Sequence, residues 1–225
     1  MNFTISKISV AISFSLILSI FNACVKKDEF IQKFQIDPNK VEIYTYEEFQ
    51  LKANKEVVKW TSSNEFICQV NENGLLKTRH IGKAVVQAKF QDEIINIDIL
   101  VKPRFTHFPE PVPRMDASLL EILKIEERTL ISQSLVQLIY QTDSKLIDHF
   151  YYLFFNNKLK YAIIDYITLT GTQYDELLFF YDERYEYLGK SKRDHYFTDQ
   201  NKNILIAISF QSKPNVRYMQ YQELD

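Results

Sequence analysis

The side chains of this sequence equipped for chemistry are two cysteines, four histidines and a few paired carboxylates. His80, His107, His149 and His195 fall in no His-x-x-x-His or His-Glu-x-x-His spacing, and no Cys-x-x-Cys occurs. A zinc site needs several such ligands to converge, so no metal is expected and each His reads as a surface or hydrogen-bonded residue. Glycines at 74, 82, 171 and 189 cannot build a phosphate-cradling loop, and there is no Gly-x-Ser-x-Gly nucleophile turn. The acidic clusters are Glu126-Glu127 beside Arg128, and Asp182-Glu183 with Glu186 beside Arg184. Glycoside hydrolysis needs two carboxylates about 5–9 Å apart across a sugar. Adjacent helical residues point about 100° apart, and the interleaved arginines make solvated ion pairs the expectation. No catalytic residue and no cofactor are assigned, and the chain reads as a non-enzyme.

Cys24 is the thiol with a distinctive setting. Lys7 precedes an apolar run from Ile8 to Phe21, the layout of a secretory signal. The run is too short for a bilayer span, which takes roughly 20 apolar residues, and serines at 9, 13, 15 and 19 interrupt it. Ser19-Ile20-Phe21-Asn22-Ala23-Cys24 resembles a lipobox, although Phe21 stands where Leu is usual and Asn22 where a smaller residue is usual. The resemblance implies a signal peptide over 1–23, acylation of Cys24 and a charged tether over 24–32. Val25, with no Asp behind the Cys, resembles outer-membrane sorting. With Cys24 acylated, Cys68 has no partner and no internal disulfide forms. A formal charge of −2, or −3 without Lys7, gives no electrostatic reason to bind nucleic acid.

The elements that must position the rest are short. Residues 33–103 carry about seven alternating runs separated by turn signals, a pattern that predicts a small β-sandwich. Trp60-Thr61-Ser62-Ser63-Asn64, Val70-Asn71-Glu72-Asn73-Gly74-Leu75 and Gly82-Lys83-Ala84-Val85-Val86 resemble the group 2 bacterial immunoglobulin-like domain. That family implies a sandwich without the antibody disulfide, used in adhesion, glycan contact or spacing. Trp60 would fill the core between the sheets, and Cys68, alternating with Phe66 and Val70, would be a small buried hydrophobe. Gly74 supplies the positive φ of a hairpin turn and Gly82 a close turn into the next strand.

Four prolines between 103 and 113 stiffen a linker over 104–116, whose Phe105 and Phe108 can pack on a neighbouring domain. From 117 to 225 the pattern is α+β. Ser118-Leu119-Leu120-Glu121 reads as a capping box opening a helix to about Arg128. Strands follow at about 134–141, 147–155 and 158–168, with Asn156-Asn157 as a hairpin turn. Thr172-Gln173-Tyr174-Asp175 reads as a second capping box. Its helix would bury Tyr174, Leu177, Leu178, Tyr181, Tyr185 and Leu188 and end at Gly189. Strands at about 194–199, 203–211 and 215–223 close the chain. Glu127-Arg128 aligns with Glu183-Arg184, Tyr140 with Tyr196 and Phe154 with Phe210, a shift of about 56 that makes the domain two helix-plus-three-strand units.

Aromatic residues exceed what one buried helix face holds, so Phe180, Tyr187 and Tyr152 are the candidates for exposed ligand contacts. The expectation is a membrane-anchored, non-enzymatic binding or scaffold protein of the cell envelope. The alternative is a carbohydrate-binding accessory protein of a glycan-uptake system, and behind it an enzyme with an unrecognised site in the second domain; the ligand expected is a glycan or a protein.

Overall fold

Runs that alternate apolar and polar residues become strands with one buried face. Lys40–Tyr44 buries Val41 and Ile43 while its neighbours face water, the period-2 pattern of a half-buried strand. The computed structural model describes residues 33–221 apart from 57, 113, 211 and 212. The expected signal peptide, Cys24 and tether lie outside the described residues. The fold is mostly β-sheet, with two helices among the described residues.

The first strands are β1 (Ile36–Asp37), β2 (Lys40–Tyr44), β3 (Glu48–Gln50), β4 (Lys52–Ala53), β5 (Lys59–Ser62), β6 (Cys68–Val70), β7 (Leu75–Thr78), β8 (Gly82–Phe90) and β9 (Glu93–Lys102). A four-stranded sheet has the order β2-β9-β8-β5, with β2 parallel to β9. A three-stranded sheet has the order β3-β7-β6, and β1 pairs with β4. Their inner faces share one core containing Leu51, Leu76, Val86, Ile97 and Ile99. Cys68 is fully buried there, 3.7 Å from Ser62 Oγ, and burial raises the pKa of its thiol. Val70 packs on the same core from a partly buried position. Trp60 is only partly buried, because β5 is an edge strand. Its ring lies against Gly74, where a Cβ would stand 3.0 Å from both Trp60 Cζ2 and Leu51 O. Gly74 has φ +78°, and Gly82 has φ +141° with Ile67 crowding the space a Cβ would take.

Beyond residue 116 the chain runs α1 (Leu119–Ile125), β10 (Thr129–Gln133), β11 (Gln137–Gln141), β12 (Ile147–Phe155), β13 (Lys158–Tyr166), α2 (Gly171–Asp182), β14 (Glu186–Ser191), β15 (Asp194–Thr198), β16 (Ile204–Ser209) and β17 (Asn215–Gln220). The eight strands form one antiparallel sheet, ordered β10-β11-β12-β13-β17-β16-β15-β14. Each helix is therefore followed by four strands, not three. Each strand of the second set starts 57 residues after its counterpart (129 to 186, 137 to 194, 147 to 204, 158 to 215). That offset matches buried Glu126, not Glu127, with buried Glu183. It also matches core-facing Tyr140 with core-facing Phe197, where a shift of 56 would have paired opposite faces.

Ser118 and Thr170 cap the two helices, each in a reciprocal capping box with Glu121 and Gln173. The second helix thus starts two residues before the expected box and ends at Asp182. Gly189 is not its C-cap: it lies in β14, at a register shift, with φ +125°. Both helices cover the same sheet face, where Tyr140, Phe150, Ile164, Val216 and Ile208 line up across five strands. Phe108, from the Pro-rich segment, is buried in this core, edge-on to Tyr166 and Phe180. Burying such a ring contributes about 1.5–3 kcal/mol, so the segment is part of the packing and not only a spacer.

Candidate functional site

On α2, Asp175, Leu178, Phe179 and Asp182 follow at spacings of three and four and so share one side of the helix. Facing them are Tyr187 of β14 and His195 and Phe197 of β15, and together they line a groove of about 300 Å³. Tyr187 stands directly across the ladder from Phe197, with ring centroids 5.1 Å apart. The Tyr187 hydroxyl lies 3.1 Å from His195 Nδ1. Burial, with Lys190 adding to it and Asp194 opposing it, lowers the His195 pKa. Phe179 is 51% exposed and Tyr187 41%. Phe105 stacks behind Phe179 at 6.1 Å and 14°, fixing the ring. Asp182 accepts a hydrogen bond from the Tyr46 hydroxyl, which ties one wall of the groove to the loop after β2.

Of the three aromatics singled out in the sequence, only Tyr187 reaches solvent in a concave site. Phe180 and Tyr152 are buried and cannot stack on a ligand. The inward face of α2 is Leu177, Phe180 and Tyr181. Phe180 sits under the Arg184 guanidinium, 3.6 Å from its ring centre. Tyr152 faces inward from β12, donates to Glu126 and accepts from Val112 N at 2.9 Å. Phe179, Asp175 and His195 complete the groove; the i, i+4, i+7 spacing of Asp175, Phe179 and Asp182 locates the helix side, and His195 follows from the pairing of β14 with β15.

The groove offers two aromatic faces for stacking and carboxylates that accept hydroxyl protons. Asp175 and Asp182 are seven residues apart, about 10.5 Å along the helix axis, and Asp182 is engaged by Tyr46. Among the described residues no group of three or more His, Cys, Asp or Glu side chains is placed to hold a metal ion.

In the acidic clusters Glu126 and Glu183 are buried, contrary to the solvated ion pairs expected of them, whereas Glu127 is exposed and Asp182 and Glu186 are partly so. Glu183 is 1% exposed and accepts from Thr45 Oγ1 at 2.5 Å, Arg104 N at 2.7 Å and Phe105 N at 3.2 Å. Its own carbonyl accepts from Ile81 N at 2.8 Å. Glu126 takes a two-pronged contact from Arg128 Nη1, at 2.9 and 2.8 Å, besides the Tyr152 hydroxyl. Enough donors converge to offset desolvation, which is why carboxylates are tolerated there. Beside Glu183 lies His80, 1% exposed, stacked on Phe66 at 3.7 Å and placed between two carbonyls, Phe66 O at 2.5 Å and Tyr185 O at 3.2 Å. These contacts join strands of the first core to the α2–β14 corner and have no open face for a substrate.

No protein-family model matches this chain, and no curated protein sequence matches it.

Proposed function

We propose that the chain is an envelope lipoprotein, acylated at Cys24, that works as a non-enzymatic binding or scaffold protein. In this reading an immunoglobulin-like β-sandwich carries an α+β head of two related helix-and-strand units, and the head presents the groove. The observation that carries it is the pairing of two exposed aromatic rings, Phe179 and Tyr187, with the carboxylates of Asp175 and Asp182 around one concavity. That chemistry favours the carbohydrate-binding reading: sugar C–H faces stack on the rings while hydroxyls donate to carboxylates. Outer-membrane placement follows from Val25 behind the acylated Cys.

Two measurements test this. Palmitate incorporation and membrane fractionation should both be lost in Cys24→Ala; retention of either refutes the anchor. On a polysaccharide array the full chain should bind at least one glycan, and Tyr187→Ala should weaken that binding by about two- to twelvefold, the loss of one stacked ring being worth about 0.5–1.5 kcal/mol. Array binding untouched by Tyr187→Ala and Phe179→Ala would remove the groove from the account.

A further inference from the structure

The end of the eight-stranded sheet where β10 turns into β11, and β12 into β13, shows apolar side chains to water. Leu135 and Val136 occupy the first of these turns, 91% and 62% exposed. Hairpin turns favour Asn, Gly and Asp, and a leucine that exposed packs on almost nothing. Neither turn geometry nor core packing accounts for it. Phe155, 67% exposed, begins the second turn. The two turns adjoin: Phe154 N donates to Val136 O at 2.8 Å. Continuing the register that sets Gln137 against Leu153 brings Leu135 opposite Phe155. Leu120, 66% exposed, is in the first turn of α1, whose Leu119 N lies 3.5 Å from Asn157 Oδ1 of the second turn. Along the sheet edge Ile131 extends the patch at 47% exposed.

Charge is distributed to match. Thr129 to Thr142 contains no Asp, Glu, Lys or Arg, so the protruding hairpin would desolvate no ion on entering an apolar medium. Around it stand Arg114, Lys124, Lys158 and Lys160 against Asp116 and Glu121. Lys160 pairs with Asp116 at 2.9 Å and Arg114 approaches Glu121 at 4.0 Å; Lys158 also acts on Asp116 and Lys124 on Glu121, which sets four cations against two carboxylates.

We infer that this end of the sheet docks on a lipid surface. The tips Leu135, Val136 and Phe155 enter the headgroup–acyl boundary, and the lysines meet lipid phosphates. Exposed apolar patches mark protein or membrane contacts. Here the apolar groups protrude on turns instead of forming a broad flat face, and the rim is basic, which favours the anionic bilayer. The contact is additional to acylation and does not depend on it, nor on any ligand of the groove.

The test uses the full chain as Cys24→Ala, which removes the acylated thiol and leaves the buried Cys68. An environment-sensitive dye is placed on Leu135→Cys or, as control, on Lys192→Cys, a turn residue between β14 and β15. Vesicles contain phosphatidylcholine with or without phosphatidylglycerol, and brominated acyl chains serve as quencher. A blue shift and quenching at position 135 but not at 192, stronger with phosphatidylglycerol, are expected. Adding Phe155→Asp should weaken the lipid titration by about tenfold. Equal responses at 135 and 192, or no effect of Phe155→Asp, overturn the inference. A blue shift at 135 that grows with protein concentration without lipid would assign the patch to a second copy, and would overturn it as well.

Discussion

Removing the Glu183 carboxylate should uncouple two hydrophobic cores that the chain otherwise joins. Glu183 is buried at the α2–β14 corner and receives donors from three separate positions: the Thr45 hydroxyl, the Arg104 amide and the Phe105 amide. Glu183→Ala leaves those donors without their acceptor, and Arg184, whose Nη1 lies 3.5 Å from the carboxylate, loses a counter-charge. An orphaned buried donor costs about 1–3 kcal/mol, and breaking a buried ionic contact from one side about 3–5 kcal/mol. These overlap and do not add, so the expected loss is about 3–5 kcal/mol. For a chain of this length each kcal/mol lowers Tm by about 2–4 °C, placing the shift near 6–20 °C. Glu183→Gln keeps one carbonyl oxygen and should lose about half as much. Urea and thermal unfolding of the two variants, followed by tyrosine fluorescence and circular dichroism, measure this directly. A loss below about 1 kcal/mol for Glu183→Ala, within the range of ordinary surface substitutions, would refute the view that this carboxylate ties the cores together.

Three further outcomes are expected. Gly74→Ala should destabilise by at least about 1–2 kcal/mol, the cost of a side chain at positive φ, with crowding from Trp60 and Leu51 added. Gly171→Ala, in the first turn of α2 with no atom within 4 Å of a new Cβ, should stabilise by about 0.4–1 kcal/mol; urea midpoints of the pair decide both. His80 has its pKa lowered from 6.5, chiefly by burial, with Arg79 acting in the same direction and the carbonyls of Phe66 and Tyr185 and the charge of Asp182 opposing it. A depressed His pKa means the unfolded chain binds the proton more readily, so His80 contributes stability that is complete above about pH 6.5 and is lost as pH falls below it. The urea midpoint of the parent should drop between pH 7.5 and 5.5, and His80→Gln should flatten that drop; an unchanged slope would exclude His80 as its source.

Much of the strand order was legible because one buried face imposes a strict period of two. β12, β13, β15, β16 and β17 lie where alternation placed them, and the positive φ values of Asn156 and Asn157 are those of the expected turn. What failed had a physical cause. β10 is exposed at every position, so it carries no alternation to detect. The stretch after Asp182 spaces Tyr185 and Leu188 as a helix would, yet Tyr185-Glu186-Tyr187 also alternates, and pairing with β15 decides for strand. Two threonines, Thr170 and Thr172, each precede a capping partner by three residues; reciprocal bonding to Gln173 selects the first. Packing on the sheet then turns Phe180 inward and Phe179, about 100° round the helix, outward. The groove was thus half visible: Tyr187 could be found from composition, whereas its partners needed the helix register. Burial of Glu126 and Glu183 was invisible, because their donors come from residues as distant as Thr45 and Tyr152.

The seam between β13 and β17 also sets the order of assembly. Every other contact in the eight-stranded sheet joins strands that are neighbours in sequence, such as Phe155 with Lys158 across a two-residue turn. At the seam Tyr161 meets Met219 and Asp165 meets Asn215, partners more than forty positions apart. Closing so long a loop carries an entropic penalty that local hairpins avoid, and non-local pairing slows folding. Each four-stranded meander can therefore form from local information, with the seam zipping last and acting as the kinetic bottleneck. Substitutions at Ala162 or Tyr218, on facing positions of the seam, should then change the folding rate in proportion to stability far more than substitutions in the β12–β13 turn.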